Sequence, residues 1–539
     1  MTNRVLLIAA ITFLLIFDSR AQKEEMRGAW VATAKNIDYP SSRFLSSEEQ
    51  KQEFIALLDT FKNIGINAVF VQIRPAADAF FPSKFEPWSE WLTGQQGKAP
   101  DPYYDPLKFM IKECHKRNIQ FHAWINPFRA VATITHADIA EDHISNRRPE
   151  WIFTYDINKY FDPGIPEVRN YVINIITDIA RRYDIDGIHF DDYFYPYPKK
   201  DENRQTIPIP DSETYKLYGE GFDNIEDWRR NNMNVFIRSV NDSLKAIKPD
   251  LVFGVSPSGI WRNKSRDPKG SDTRGFAHYD YLYADVLTWL REGWIDYVAP
   301  QLYWSIGHPY ADYKTLVDWW SQNTYGRHLY IGQGIYNANP EAADINWRNP
   351  SQLPNQLRIN YDTPNVFGSI FYKASSIRQN PLGMNDSLRY RFYAEAAVPP
   401  RFSWLADLPI VDDPIIREDT VQEDEVLTVD TKAPPPPKDL TAAKFGNQLV
   451  LSWTEPDVSG KHPDDAPDYY KVYRFREGDD LDLNPIHFRE IRNDSYYTIK
   501  RRRFALFKKR YVYVITSVDE AGNESRVGNE IELKLKLRH

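Results

Sequence analysis

Short apolar segments alternate with longer amphipathic segments from Met26 to Pro400. Two amphipathic segments have clear helix signals, because Ser47–Ile64 starts with a cap-like Ser-Ser-Glu-Glu run and Pro166–Tyr183 has Pro and Glu in its first turn. Eight apolar segments have the length and composition of buried strands. They are Arg27–Ala32, Ala68–Pro75, Gln120–Pro127, Asp186–Asp192, Leu251–Pro257, Tyr297–Trp304, Leu329–Tyr336 and Val366–Tyr372.

This order of strands and helices predicts an α/β fold of the (β/α)8 TIM-barrel class over residues 25–400, with long inserted loops. A doubly wound sheet is the main alternative for an α/β chain. It seldom has eight repeats, and no Gly-rich phosphate loop follows the first strand in this sequence.

The chain after residue 400 has a different character. Residues 401–434 are acidic, lack periodicity and run into the prolines Pro434–Pro437, which predicts a linker. Residues 435–539 contain three alternating segments, LVLSWTEP, DYYKVYRF and RYVYVITSVDEAGNES, followed by turn residues, which predicts a small all-β sandwich. The tryptophan and tyrosines of these segments resemble those of a fibronectin type III module; they are Trp453, Tyr470, Tyr473 and Tyr513.

The amino-terminal residues predict a secretory signal peptide. Arg4 precedes the apolar run Val5–Phe17, which is short for a membrane span, and Ser19-Arg20-Ala21 ends in a small residue. We expect cleavage after Ala21, so that residues 1–21 are removed and the mature protein is secreted or periplasmic, without stable membrane insertion. An uncleaved anchor is the alternative.

Composition narrows the choice of partner. A formal net charge of −8 and a pI near 5.9 argue against nucleic acid. The chain has 15 Trp, 33 Tyr and 29 Phe residues, which fits either large cores or stacking on sugar rings. The single cysteine, Cys114, excludes an internal disulfide.

The segment DGIHFDDYFYPYP, residues 186–198, holds the candidate catalytic acids. Alternation along the strand places the bulky Ile188 and Phe190 towards the helices and therefore Asp191 towards the barrel axis. Asp191 would lie at the carboxyl-terminal mouth, where barrel enzymes keep their chemistry. Asp192 is its neighbour, and Asp186 opens the strand at the opposite end, where a structural role is expected.

The same alternation on other strands yields a candidate substrate-binding set of hydrogen-bonding and aromatic residues suited to a polyol. The set consists of Trp30, Arg74, His122, Asn126, His189, Tyr193, Gln301, Tyr303 and Trp304. The alternative for each polar residue is membership of a buried, satisfied network. Arg74 could also be a structural partner of Asp191.

Several long motifs resemble glycosyl-hydrolase-like family 10, also catalogued as domain of unknown function 187. They include MRGAWVATAKNIDYPS, VQIRPAADAFFPSKFEPWSEWLTGQQGKAPDPYYDPL, FHAWINPFRA, FDPGIPEVRNYV, DGIHFDDYFYPYP, GVSPSGIWRN and VAPQLYW, and they span residues 25–400. The resemblance implies a TIM-barrel glycoside hydrolase from a family of secreted and outer-membrane bacterial proteins that cleave peptidoglycan strands lacking stem peptides. DGIHFDDY is also similar to the chitinase DxxDxDxE motif, but Tyr193 replaces the final Glu, which argues against a chitinase-type mechanism.

Glycosidic cleavage needs two carboxylic groups. Asp191 is predicted to be the nucleophile or base, and the general acid is left open between Asp192, Glu86, Glu90 and Asp78. A non-catalytic glycan-binding protein is one alternative. A metal-dependent polysaccharide deacetylase using His122, His189 and Asp191 is the other, although no tight His-x-x-x-His pair supports it. The prediction is a glycan hydrolase without metal or cofactor.

Overall fold

The chain forms two compact units, divided between Val411 and Asp412. The computed structural model describes residues 23–132 and 139–405 of the first unit. In the second unit it describes residues 433–445, 448–456, 467, 469–477, 481, 488–492, 495–500, 509–518 and 525–535. The predicted signal peptide, residues 1–21, and most of the predicted linker therefore lie outside the described residues.

Eight parallel strands form a closed barrel in the first unit. They are β1 (Met26–Val31), β2 (Ala68–Arg74), β3 (Gln120–Ile125), β4 (Gly187–Phe190), β5 (Val252–Val255), β6 (Tyr297–Val298 and Gln301–Leu302), β7 (His328–Gln333) and β8 (Val366–Phe371). Each strand pairs with the next along the chain, and β8 pairs with β1. All eight predicted strands are present, and the TIM-barrel prediction is confirmed.

Besides short helices in the loops, such as Ser212–Tyr218, one helix follows each strand of the barrel. These helices are α1 (Ser47–Ile64), α2 (Pro106–His115), α3 (Pro166–Arg182), α4 (Ile225–Ile247), α5 (Val286–Arg291), α6 (Tyr313–Ser321), α7 (Gln352–Asp362) and α8 (Ala374–Gln379). The α1 helix begins with a capping box between Ser46 and Glu49 and ends at Gly65, whose φ of 92° is left-handed. Within the described ranges, no helix has both the length and the apolar character needed to cross a bilayer.

Side-chain alternation on β4 follows the prediction. Ile188 and Phe190 belong to the outer core, where the Phe190 ring packs 5.8 Å from that of Phe236 on α4. Gly187 lies on the inner face, where a Cβ would meet His122 Nδ1 at 2.3 Å. The strand can therefore pass the His122 ring only because residue 187 has no side chain.

The sixth strand is shorter than predicted. Its two pieces are separated at Ala299 and Pro300, within the predicted segment Tyr297–Trp304. Proline has no backbone N–H to donate to the ladder, so it interrupts the strand. The second piece still pairs with β7, and Gln301 remains at the mouth.

A small antiparallel sheet follows β3 at the mouth of the barrel. It consists of Arg129–Val131, Ile152–Tyr155 and Asn158–Phe161, with the last of these in the middle. This sheet is an insertion between β3 and α3, and it brings the side chain of Arg129 into the mouth region.

The amino-terminal end of the barrel is covered by residues beyond the boundary predicted at residue 400. The His328 ring lies between Phe367 and Phe402, with centroid distances of 4.3 and 4.5 Å. Trp404 Nε1 donates to Asp296 Oδ1 at 2.8 Å. The barrel domain therefore includes at least residues 401–405, which we predicted to be linker.

Two truncations test this boundary. A chain ending at Thr431 should keep the melting temperature of the barrel, whereas one ending at Pro400 loses Phe402 and Trp404. The loss of these two rings should lower the free energy of unfolding by about 2 kcal/mol or more, the usual value for the burial of a large apolar side chain. Thermal unfolding of both chains measures the difference. An insoluble chain ending at Thr431 would instead mean that the barrel depends on the carboxyl-terminal unit.

The second unit contains a three-stranded and a four-stranded antiparallel sheet. Their strands are Lys438–Phe445, Gln448–Thr454, Tyr469–Arg476, Phe488–Arg492, Tyr496–Lys500, Lys509–Val518 and Glu530–Leu535. Both sheets contribute to one apolar core, in which the Trp453 and Tyr470 rings lie 5.4 Å apart. The unit is a small all-β domain, as predicted, and the fibronectin type III assignment stays a prediction.

Candidate active site

Asp191 and Asp192 directly follow β4 at the carboxyl-terminal mouth of the barrel. They are only 5% and 6% exposed. Continuing the pairing of β4 with β3 and β5 by one residue places Asp191 in one row with Asn126 and Ser256. The inward position predicted for Asp191 therefore agrees with the strand register.

The Asp191 carboxylate is held by two donors. Trp124 Nε1 donates to Oδ2 and the Tyr193 backbone N–H donates to Oδ1, both at 3.1 Å. Burial raises the pKa of Asp191 well above its usual range, and the charge of Asp192 raises it further. The nearby Arg129 opposes both effects. The site thus favours a proton on this pair of acids at a pH where an ordinary aspartate is ionised.

Asp192 is bound on the side of β6. The Tyr197 hydroxyl donates to Oδ2, and Gln301 also forms a hydrogen bond with the carboxylate. Gln301 Nε2 also donates to the Ser256 carbonyl at 3.0 Å. Burial raises the pKa of Asp192, and these hydrogen bonds partly offset that effect. Gln301 therefore lies at the mouth, as predicted, and contacts a candidate catalytic acid.

Arg129 is a mouth residue that we did not single out from the sequence. Its guanidinium lies 4.0 Å from the centroid of the Tyr193 ring. Its positive charge lowers the pKa of both Asp191 and Asp192. The residue lies within the quoted motif FHAWINPFRA, but only the small antiparallel sheet brings it to the carboxylates.

Tyrosines form the opposite side of the mouth. Tyr303 stacks on Tyr372 at 5.8 Å with 15° between the rings, and Tyr336 meets Tyr303 edge-on at 5.7 Å. Trp304 packs against the outer core and Gly259, where an added Cβ would meet its ring at 2.6 Å. Tyr303 therefore lies where predicted, whereas Trp304 points away from the barrel axis and supports the loop after β5.

The predicted substrate contacts Trp30, His122 and His189 lie beneath the mouth. Trp30 Nε1 donates to His189 Nε2 at 3.0 Å, and His189 Nδ1 is 2.8 Å from the Tyr297 hydroxyl. His122 is fully buried and stacks on Phe70 at 4.5 Å. Burial lowers the pKa of both histidines. We expected substrate contact from these three residues, but their rings fill the barrel interior, which favours the alternative of a buried network.

Arg74 was also expected to face the mouth, and this position is wrong. Its guanidinium is fully buried and binds both oxygens of Glu86, at 2.7 and 2.5 Å. The remaining nitrogen donates to the carbonyls of Asn126 and Pro127, at 2.5 and 3.2 Å. Arg74 therefore does not pair with Asp191, and it supports the turn that leads from β3 to Arg129.

The other candidate acids are engaged outside the row of Asp191. Glu86 is held by Arg74, and Glu90 pairs with Arg43 at 2.7 Å on a more exposed part of the loop after β2. Asp78 accepts from the Ala76 N–H, and burial raises its pKa to about 7. Asp192 is therefore the alternative acid that shares its immediate surroundings with Asp191.

Two polar groups beside Asp191 keep unused hydrogen-bonding capacity. Asn126 Oδ1 accepts from Gln72 Nε2 at 3.1 Å, but its Nδ2 has no partner among the described residues. The same holds for Ser256 Oγ. Both are almost fully buried, and a buried polar atom without a partner is costly. Groups of this kind beside a carboxylate suit the hydroxyl and acetamido groups of a sugar.

The described part of the chain contains no group of three or more His, Cys, Asp or Glu side chains arranged to hold a metal ion. The contacts of His189 explain why this residue is not available as a metal ligand. Both ring nitrogens of His189 are already engaged by Trp30 and Tyr297. The set of His122, His189 and Asp191 considered for a deacetylase therefore lacks a free nitrogen at His189.

Comparison with known proteins finds relatives that are named glycosyl hydrolases. Glycosyl hydrolase YngK of Bacillus subtilis (strain 168) is 40% identical over 531 residues, which are 97% of this chain and 96% of YngK. Glycosyl hydrolase DigH of Escherichia coli (strain K12) is 38% identical over 377 residues, which are 66% of this chain and 84% of DigH. Among solved structures, the PgaB (BpsB) glycoside hydrolase domain of Bordetella bronchiseptica aligns with a TM-score of 0.44 and 14% identity, over 68% of this chain and 98% of that domain. The sequence model of the family described as Glycosyl hydrolase-like 10 matches residues 25–349. The chain therefore belongs to glycosyl hydrolase-like family 10, a family of glycosidase-type enzymes.

Proposed function

We propose that the protein is a secreted or periplasmic glycoside hydrolase that cleaves bacterial cell-wall glycan, and that it prefers peptidoglycan strands without stem peptides. The observation that carries the hydrolase part is the pair Asp191 and Asp192, two buried carboxylic groups with raised pKa at the barrel mouth. Glycosidic hydrolysis needs one protonated and one ionised carboxylic group beside the scissile bond.

The environment of each acid suggests a division of labour. Asp191 is the nucleophile or base, because two donors hold it on the inner face beside Asn126 and Ser256. Asp192 is the second carboxylic group, and the proton that the pair retains is passed to the leaving oxygen. Because each negative charge opposes the other, ionisation of one acid keeps the proton on its neighbour.

The pH dependence of kcat/KM follows from these shifts. Activity requires one proton on the pair, so it is lost once the second acid ionises. Because burial raises both pKa values, the alkaline limb should lie well above about pH 4, the ordinary range of an aspartate. Arg129→Gln should move this limb to higher pH, because Arg129 lowers both pKa values. A limb near pH 4 in the parent enzyme would contradict the assignment.

The choice of cell-wall glycan is supported by the family resemblance and by the lining of the mouth. Tyrosine rings and amide groups suit the ring faces, hydroxyls and N-acetyl groups of amino sugars. Stem peptides would add bulk and several carboxylates beside Asp191 and Asp192. Residues 1–21 support export, and a mature chain beginning at Gln22 in the envelope fraction, identified by mass spectrometry, is the expected form.

Release of reducing ends tests the substrate choice. Amidase-treated peptidoglycan should be cleaved faster than intact peptidoglycan, and starch, cellulose and xylan should be poor substrates. The same rate after exhaustive EDTA treatment is expected for a metal-free hydrolase. Zinc-dependent recovery of activity after EDTA would favour the deacetylase, and tight binding without new reducing ends would favour a glycan-binding protein. Equal rates on intact and peptide-free wall would remove the stem-peptide preference.

A further inference from the structure

Arg129 occupies the mouth beside the two acids. Its guanidinium lies over the Tyr193 ring at 4.0 Å, and the Tyr193 backbone N–H donates to Asp191. The side chain is half-buried and so remains partly accessible to solvent. A ligand that reaches Asp191 would therefore come close to Arg129.

The backbone of Arg129 is fixed from two directions. Its carbonyl accepts from the Ala77 N–H at 3.0 Å, and its strand pairs with Asn158–Phe161. The buried Arg74 binds the carbonyls of Asn126 and Pro127, which begin the turn to Arg129. These contacts hold the backbone of Arg129 in place. A side chain that recognises one group of a ligand needs such a rigid support.

The Arg129 guanidinium forms no ion pair with a described residue. Among the residues that the structure describes, no carboxylate oxygen lies at ion-pair distance from the Arg129 guanidinium. Its charge nevertheless lowers the pKa of Asp191 and Asp192. By contrast, the Arg74 guanidinium already makes a bidentate contact with Glu86. A half-buried guanidinium without a carboxylate partner among the described residues is suited to bidentate binding of a carboxylate.

We propose that Arg129 binds a carboxylate carried by the glycan, and that this group is the lactyl carboxylate of N-acetylmuramic acid. In intact peptidoglycan this carboxyl group is the point of attachment of the stem peptide and exists as a neutral amide. Removing the peptide frees the charge. Arg129 thus selects strands whose stem peptides have been removed. This inference rests on the proposed function and adds to it the residue and the chemical group that set the preference.

A carboxylate on a sugar can also come from a uronic acid. We favour the lactyl group, because its ether linkage extends the carboxylate away from the pyranose ring, whereas the carboxylate of a uronic acid is attached to the ring itself. Hyaluronan supplies N-acetylglucosamine alternating with a uronic acid, and it separates the two sources.

The decisive experiment compares two forms of one substrate. Peptide-free glycan strands are used as prepared, and after carbodiimide coupling with ammonia has converted their lactyl carboxylates into neutral amides. Values of kcat/KM are measured for the full-length parent, Arg129→Gln and Arg327→Gln. Arg327 is a matched control, because it also lies over an aromatic ring, at 4.5 Å from the Trp404 centroid, but precedes β7 at the opposite end of the barrel.

The parent and Arg327→Gln should prefer the carboxylate form by about tenfold or more, the usual value of a charge-assisted contact. Arg129→Gln should cleave both forms at similar rates. Because the ratio is taken within each enzyme, a general effect of Arg129 on Asp191 and Asp192 cancels.

A preference that survives in Arg129→Gln, or is absent from the parent, overturns the inference. Faster cleavage of hyaluronan than of peptide-free strands overturns the lactyl assignment. No cleavage of either strand form by the parent refutes the proposed function itself, and the inference with it.

Discussion

Replacing Asp191 by asparagine is expected to lower kcat/KM by about a thousandfold or more, because a catalytic carboxylate supplies transition-state stabilisation that an amide does not. The stability of the fold should not decrease. Burial raises the pKa of Asp191, so its ionised form destabilises the native state as the pH rises through the range between about 4 and the raised value. The asparagine variant carries no such charge, and its melting temperature at neutral pH should equal or exceed that of the parent.

Asp186→Asn is the matched control. Asp186 lies at the opposite end of the same strand, where it accepts from the Phe121 N–H at 2.7 Å and contacts His115 at 2.8 Å. Its replacement should cost about 1–2 kcal/mol of stability and leave turnover nearly intact. Azide should restore some activity to Asp191→Asn if Asp191 attacks or activates the nucleophile. Parent-like activity of Asp191→Asn would refute the assignment.

Breaking the buried pair of Arg74 and Glu86 is expected to have the largest effect on stability. Glu86→Gln leaves the buried guanidinium of Arg74 without its countercharge, and Arg74→Met leaves Glu86 in the same state. Each single replacement should cost about 3–5 kcal/mol. The effect should appear as a large fall in the denaturant concentration at the unfolding midpoint, measured by circular dichroism.

The double variant Arg74→Met, Glu86→Leu separates the charge effect from a loss of packing. It removes both buried charges together, so it should recover much of the stability lost in either single variant. Glu90→Gln is a matched control, because it disrupts the more exposed pair with Arg43 and should cost less than about 1 kcal/mol. Additive losses in the double variant would contradict a role based on charge pairing.

The barrel could be predicted from the sequence because its signals are local. Each strand is a short apolar run and several helices begin at a capping residue, as the match of α1 to the predicted segment Ser47–Ile64 illustrates. The end of the domain was missed for a physical reason. Phe402 and Trp404 follow an ordinary proline pair, and only the closed barrel provides the His328 ring and the Asp296 carboxylate that bind them.

The site was predictable only in part. Strand alternation placed Asp191 correctly, because period-two geometry fixes the face of each residue. The same rule put Arg74 on the inner face but could not show that Glu86, twelve positions along the chain, binds its guanidinium. Arg129 was missed because its position depends on an inserted sheet whose placement has no local sequence signal.

Mass spectrometry of peptide-free glycan strands incubated with the protein in heavy-oxygen water tests the central claim most directly. A hydrolase that uses Asp191 and Asp192 should release shorter oligosaccharides, each with one heavy oxygen at its new reducing end and with all acetyl groups retained, and Asp191→Asn should release almost none. Strands of unchanged length, or strands that lose acetyl groups without becoming shorter, would contradict the assignment of this barrel as a cell-wall glycoside hydrolase.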